Sequence, residues 1–209
     1  MTVIAIDGPA ASGKGTLARR LAQHFDYAYL DTGSLYRAVA LEAHRTDGDA
    51  IKAAQNVGKL NLTDPKIKSE STGGMASKIS ALAEVRAALL DFQRDFAARP
   101  PEGKAGAVLD GRDIGTVVCP DADVKIFITA DVKTRAKRRF LEEFGAEGHD
   151  ADYQAILADL IQRDERDMTR PNSPLRAAAN AHLLDTTNSD IEAVFEQALK
   201  LVSDKMTTA

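Results

Sequence analysis

Two hydrophobic rhythms alternate along the chain. Short, largely unbroken apolar runs have the length of strands buried on both faces of a sheet. They predict strands at 2–7 (Val3-Ile4-Ala5-Ile6), 27–31, 107–110, 124–128 and 182–184. Between them, apolar residues recur three and four apart, as Leu17, Leu21 and Phe25 do. That spacing predicts helices over 14–25, 32–46, 49–60, 76–97, 131–144, 151–168 and 190–205. Pro100-Pro101 closes the longest, and Pro171 follows the charged helix at 151–168. Residues 61–74 carry Asn61, Asp64, Pro65, Gly73 and Gly74 and read as loop; 145–149 reads as a turn. Strand–helix alternation of this kind argues an α/β fold, a parallel sheet covered by helices on both faces. Ligands of such sheets sit at the carboxyl ends of the strands. The loop at 8–16, Asp31-Thr32, Asp110–Asp113 and Asp185 are therefore expected along one edge.

The first of these junctions is the most specific. Gly8-Pro9-Ala10-Ala11-Ser12-Gly13-Lys14-Gly15-Thr16 joins the first strand to the first helix. Glycines at this spacing, with a lysine opening the helix, make a P-loop: backbone N–H groups and the helix N-terminus converge on a polyphosphate. Gly8, Ala10, Ala11, Ser12, Gly13, Lys14, Gly15 and Thr16 are the candidate ATP-phosphate site, with Lys14 reaching the β- and γ-phosphates. The competing reading is an ordinary glycine-rich turn. Gly15 stands where the strict pattern has the Mg²⁺-binding Ser or Thr, and Thr16 follows one place later. Asp110, ending an apolar strand, is the expected carboxylate partner of the ion; Thr16 and Asp110 are the metal candidates, directly or through water.

Further polar groups gather around that edge. Arg112 and Asp113 follow Asp110 on the same loop. Arg163, Arg166, Asp167 and Arg170 fall at i, i+3, i+4 and i+7 and share one helix face. Alone, that face reads as solvated ion pairs. Beside a P-loop, guanidinium forks suit phosphate, and a closing helix would exclude water. Asp31 or Thr32 caps a helix carrying Arg37 one turn in.

Taken together, Gly8–Thr16, Asp-Thr-Gly-Ser-Leu-Tyr-Arg at 31–37, Asp-Gly-Arg-Asp-Ile-Gly-Thr-Val-Val at 110–118, Pro-Asp-Ala-Asp-Val-Lys-Ile-Phe at 120–127 and the arginine-rich run at 163–170 resemble the bacterial cytidylate kinases. The resemblance extends over nearly the whole chain. It implies a P-loop kinase fold with a five-stranded parallel sheet flanked by helices. The core would be 1–31, 105–145 and 180–209, the acceptor-nucleotide segment about 32–104, and the lid about 146–179. It also implies transfer of the γ-phosphate of ATP, with Mg²⁺, to CMP or dCMP. Carried over by matching positions, Lys14 and the loop amides would hold ATP, and Thr32 would touch the acceptor. Arg37 would clamp the acceptor's phosphate. Ser77, Arg86 and Asp113 would read the cytosine edge. Arg112, Arg163 and Arg170 would surround the transferring group, with Asp167 at the acceptor's ribose or in the lid's own network. A carboxylate at Asp113 would accept from the N4 amine of cytosine and repel O4 of uracil. Many members carry a three-stranded sheet in the acceptor segment, for which 61–74 is too short and polar. That sheet is expected to be reduced or lost.

Composition narrows the field. Lys and Arg number 27 against 31 Asp and Glu, a net charge of −4, which disfavours a nucleic-acid polymer as partner. The single Cys119 excludes an internal disulfide and a multi-cysteine metal site. No apolar run reaches the ~20 residues of a membrane span, and no signal peptide precedes the first strand, so a cytoplasmic monomer is the expectation. Two readings compete with the kinase of nucleotides. A kinase of a small hydroxylated metabolite would need a carboxylate base, which Asp31 could supply. A GTP-binding switch would need an Asn-Lys-x-Asp signature, which Asn188-Ser189-Asp190 lacks.

Overall fold

The computed structural model describes residues 1–46 and 48–207. Five strands, β1 (Thr2–Asp7), β2 (Ala28–Asp31), β3 (Gly106–Gly111), β4 (Val124–Thr129) and β5 (His182–Asp185), form one parallel sheet in the order β2-β3-β1-β4-β5. The central strand β1 sends alternate side chains to opposite faces. Ile4 and Ile6 pack with Leu17, Leu21, Val194 and Val202 of α1 (Lys14–Phe25) and α8 (Ile191–Thr207). Ala5 faces the other way, to Leu35 and Val39 of α2 (Thr32–Arg45). The same side is covered by α3 (Ala50–Gln55) and α5 (Ala83–Ala98), through Ala54, Val85 and Leu89. Burial on both faces explains the unbroken apolar runs.

Register brings the strand ends together. Asp31 lies opposite Asp110, and Asp7 opposite Gly111. The helices α6 (Val132–Phe144) and α7 (Asp150–Thr169) pack on each other through Ala136, Ile156 and Leu160, with Ala10 of the glycine-rich loop in the same cluster. A buried ion pair, Arg135–Asp164, joins α6 to α7, and Arg135 Nη1 also donates to the Ala10 carbonyl at 3.1 Å. The arginine-bearing helix is thus tied to the glycine-rich loop.

The segment between β2 and β3 departs from the sequence reading in three places. The helix expected over 49–60 is α3 followed by a single 3₁₀ turn, Val57–Lys59. The loop expected over 61–74 contains a 3₁₀ turn at Pro65–Lys68, and from Glu70 it is already α4 (Glu70–Ile79), capped by Ser69, whose side chain accepts from the Thr72 N–H at 3.3 Å. The helix expected over 76–97 is two helices, α4 and α5, so Ser77 and Arg86 stand on different elements. The break has a local cause. The Ser80 hydroxyl donates to the Ser77 carbonyl at 2.9 Å, and the Ser80 carbonyl accepts from Arg86 Nη1 at 3.2 Å, which replaces the bond a continuing helix would make. Among the described residues the segment between β2 and β3 carries no strand, as its length and polarity predicted.

Candidate active site

The glycine-rich loop is shaped by Gly8 and Gly13. A Cβ on Gly8 would stand 2.2 Å from the Ile128 carbonyl oxygen, so only glycine lets the loop leave β1 beside β4. Gly13 adopts φ 88° and caps α1 with no side-chain acceptor, leaving the first amides of α1 open toward the loop. Lys14 Nζ donates to the Pro9 carbonyl at 3.2 Å. Burial lowers its pKa, and the neighbouring Arg112 and Arg163 charges lower it further, against Asp110 and Asp31. A cavity of about 520 Å³ opens alongside, lined by Gly13, Lys14, Thr16, Arg138, Arg139 and Asp190. Arg138 and Thr186 brace it: Arg138 Nη1 donates to Thr186 Oγ1 at 3.0 Å, and that hydroxyl reaches the Ser12 carbonyl at 3.3 Å. Neither residue carries a motif that sequence reasoning selects, although the basic run 135–139 after a strand was a usable signal.

Asp110 ends β3 against this loop. Tyr29 OH donates to its Oδ1 at 3.2 Å, and Thr32 Oγ1 donates to its carbonyl at 2.7 Å. Thr32 therefore ties the end of β2 to β3. Burial raises the Asp110 pKa, and the charge of Asp31 across the strand pair raises it further. The position facing this carboxylate is Gly15: a Cβ there would lie 3.4 Å from Asp110 Oδ2. The hydroxyl next in sequence, Thr16, lines the cavity.

Guanidinium groups crowd the same edge. Arg163 has its pKa lowered to about 10 by burial and then by Arg112, with Arg37 adding to the effect. Its buried Nε has no protein partner. Arg37 donates to the Ile67 carbonyl at 3.2 Å beneath α4, and burial lowers its pKa too. Arg112 Nε donates to Asp167 Oδ2 at 2.8 Å. Burial opposes ionisation of Asp167, but Arg112, with Arg163 and Arg170, holds it below the usual carboxylate range. Lys14, Arg37, Arg112 and Arg163 thus repel one another in one place, an arrangement that costs stability without an anion to share.

A second group faces them. Asp113, 5% exposed, pairs with Arg86 through Oδ2, and Arg170 Nη2 lies 3.8 Å from its Oδ1. Arg86 also holds the Ser80 carbonyl, and Ser80 holds that of Ser77. The three residues expected to read a base are therefore joined in one hydrogen-bonded network, although they come from α4, α5 and the loop after β3.

Asp7 supports that loop and was not singled out in the sequence. Its carboxylate accepts from the Ile114 and Gly115 amides at 2.7 and 2.8 Å, fixing a π-type turn, Ile114–Val118, behind Arg112 and Asp113. Burial raises its pKa to about 6, with the two amides pulling the other way. Between about pH 4 and pH 6 the folded chain therefore holds a proton that the unfolded chain has released, so this group's contribution to stability falls as pH rises through that window. A carboxyl-carbon NMR titration should show Asp7 with a midpoint near 6. A midpoint near 4 would remove the effect.

The comparisons with known proteins come down on one family. The cytidylate kinase family model matches residues 4–204. The chain belongs to the cytidylate kinase family. It is similar to a cytidylate kinase of Rhodopseudomonas palustris, 55% identical over 206 residues, 96% of this chain and 95% of that one. A cytidylate kinase of Rhodospirillum rubrum is 51% identical over 209 residues, 97% and 98% of the two chains. Among solved structures, an uncharacterized protein from Eubacterium ventriosum superposes with a TM-score of 0.58 at 16% identity, covering 97% of this chain and 99% of that one. A sugar kinase from Janibacter sp. gives a TM-score of 0.51 at 16% identity, covering 97% and 95%. At that identity these two support the α/β fold alone. No helix among the described residues is long and apolar enough to cross a membrane.

Proposed function

We propose that the chain transfers the γ-phosphate of ATP to CMP or dCMP, giving CDP or dCDP and ADP. The observation that carries this beyond family membership is the convergence of Lys14, Arg37, Arg112 and Arg163 at the uncapped start of α1, opposite the buried Asp113–Arg86 pair. One side can take a triphosphate and a monophosphate; the other offers a carboxylate to a base.

The loop amides and Lys14 hold the phosphates of ATP, with Gly8, Ala10, Ala11, Ser12, Gly13, Gly15 and Thr16 forming the cradle. Arg37 clamps the acceptor's phosphate. The attacking atom is an oxygen of that phosphate, already anionic at pH 7, so the reaction needs no general base and the protein supplies position and charge. Arg112, Arg163 and Arg170 neutralise the transferring group, Asp167 holds Arg112 in place, and Thr32 shapes the floor at the strand ends. The residues present suit Mg²⁺: Asp110 and Asp31 sit in register, and the Asp110 carboxyl is pushed up by burial and then by its neighbour's charge, the second of which a divalent ion would relieve. Among the described residues no cluster of three or more acidic, His or Cys side chains could hold an ion alone. Asp110, with Asp31 opposite it in register, would therefore share it with the phosphates, as Mg²⁺ commonly is, and Thr16 lines the adjoining cavity. When bound, the ion would supply charge neutralisation to the phosphates.

An ADP-release assay with ATP and Mg²⁺ against CMP, dCMP, UMP, AMP and shikimate tests the reading. Rapid turnover of CMP and dCMP with little of UMP supports it. Activity confined to the hydroxylated acceptor would overturn it and make Asp31 the candidate base.

A further inference from the structure

Of the charged groups on one face of α7, Arg166 is the one that phosphoryl transfer does not use. It reaches across the cleft instead. Its Nη1 donates to Ser77 Oγ at 2.6 Å, 89 residues away on α4, and its Nη2 to Gln162 Oε1 at 3.3 Å. Ser77 is 6% exposed. A guanidinium has five donors and no acceptor, so the serine oxygen must be the acceptor in this bond. The hydroxyl hydrogen is then free to point elsewhere. Serine and threonine in helices commonly spend that hydrogen on a carbonyl one turn back. Ser80 does so toward Ser77, and Thr46 toward Glu42. The Ser77 hydroxyl donates to no protein acceptor among the described residues, and the Ser77 backbone carbonyl is bonded into the Ser80–Arg86–Asp113 network.

We infer that Arg166 is a specificity-setting positioning residue: by occupying one lone pair of the Ser77 oxygen from α7, it orients the Ser77 hydroxyl with its hydrogen toward the ring nitrogen of the acceptor base. This rests on the proposed use of Ser77 and Asp113 in reading that base. Cytosine offers an N3 lone pair to that hydrogen, whereas uracil presents N3–H, which Ser77 can accept only at its one remaining lone pair with the hydrogen turned away. Asp113 and Ser77 then test adjacent atoms of one edge, a donor with an acceptor and an acceptor with a donor. Because the Arg166 bond exists only while α7 lies against α4, docking of the lid helix and reading of the base are one event.

The test is the ratio of kcat/KM for CMP to that for UMP, at saturating ATP, in Arg166→Met, Arg166→Lys, Ser77→Ala and the Arg166→Met, Ser77→Ala double variant. Arg166→Met keeps the stem and removes the donors. The ratio should fall about tenfold, the loss of one well-made hydrogen bond, with UMP changed far less than CMP. Arg166→Lys, again a donor without an acceptor, should restore most of it. The double variant should be no worse in ratio than Ser77→Ala alone. Equal losses with both nucleotides, or ratio losses that multiply in the double variant, would overturn the inference and leave Arg166 a strut of the lid. If the unmodified chain turned over no CMP, the reading of the whole site would fall, and this inference with it. Normal CMP turnover with an unchanged ratio in Arg166→Met would overturn the inference alone.

Discussion

Lys14→Met lowers kcat by about a thousandfold or more with every acceptor, the scale seen when a preorganised cation or donor is removed from a phosphoryl-transfer or oxyanion site. The loss falls on all acceptors alike if Lys14 holds ATP as proposed, since it is bonded to the loop carbonyl of Pro9 and makes no bond to the Asp113–Arg86 network. The fold should survive the change. Methionine keeps the length of the stem, and burial of the ammonium among Arg112 and Arg163 is a cost in the folded chain, as the lowered pKa of Lys14 records. The melting temperature of the variant should therefore equal or exceed that of the unmodified chain while activity is nearly gone. Steady-state kinetics with CMP and dCMP, paired with thermal melting, decide the matter. A loss under tenfold, or one confined to a single acceptor, would take Lys14 out of the phosphate site. A large fall in melting temperature would make its role structural.

Much of this architecture was legible in the sequence, for identifiable reasons. The strands stood out because β1, β3 and β4 are covered on both faces, so that Ile4, Ala5 and Ile6 are all apolar and no alternation dilutes the run. Lys14, Asp110 and Asp113 could be placed at the strand ends because each stands at a fixed position within a short motif that follows an apolar run. What escaped depends on neighbours distant in sequence. The break between α4 and α5 is invisible to periodicity, since Ile79, Leu82, Val85 and Leu89 stand three, three and four apart across it. It is made by Arg86 taking the Ser80 carbonyl. The start of α4 was obscured by Gly73 and Gly74, poor helix formers on any propensity scale. Gly73 is tolerated where α4 passes over Arg37, whose Nη2 would lie 3.5 Å from a Cβ. Asp7 reads as the last residue of a strand; only the fold reveals that it holds the Ile114 and Gly115 amides. Arg166 could be placed on the right helix face from spacing, but its partner Ser77 could not be named, because helix periodicity says nothing of which element lies opposite.

The second large effect belongs to Asp113, whose carboxylate does two things that can be separated. It neutralises Arg86 and approaches Arg170, and it retains lone pairs for a base amine. Asp113→Asn keeps the shape and removes the charge. Leaving Arg86 and Arg170 without their shared carboxylate in a buried setting should cost about 3 kcal/mol of stability, the range for breaking a buried pair from one side. Melting temperature registers that loss whatever the acceptor. Recognition is a further and larger matter. The amide presents a mixture of donor and acceptor where cytosine needs an acceptor, and unpaired buried polar groups discriminate strongly. The kcat/KM for CMP should fall about a hundredfold or more, while that for UMP falls much less, or rises as the repulsion of its O4 disappears. The CMP-to-UMP ratio is thus the decisive quantity, because destabilisation and misplaced arginines depress both substrates together and cancel from it. A ratio that collapses places the carboxylate against the exocyclic amine. An unchanged ratio with both substrates depressed would leave Asp113 as the anchor of Arg86 and Arg170, and base choice would have to reside in Ser77 and Arg86.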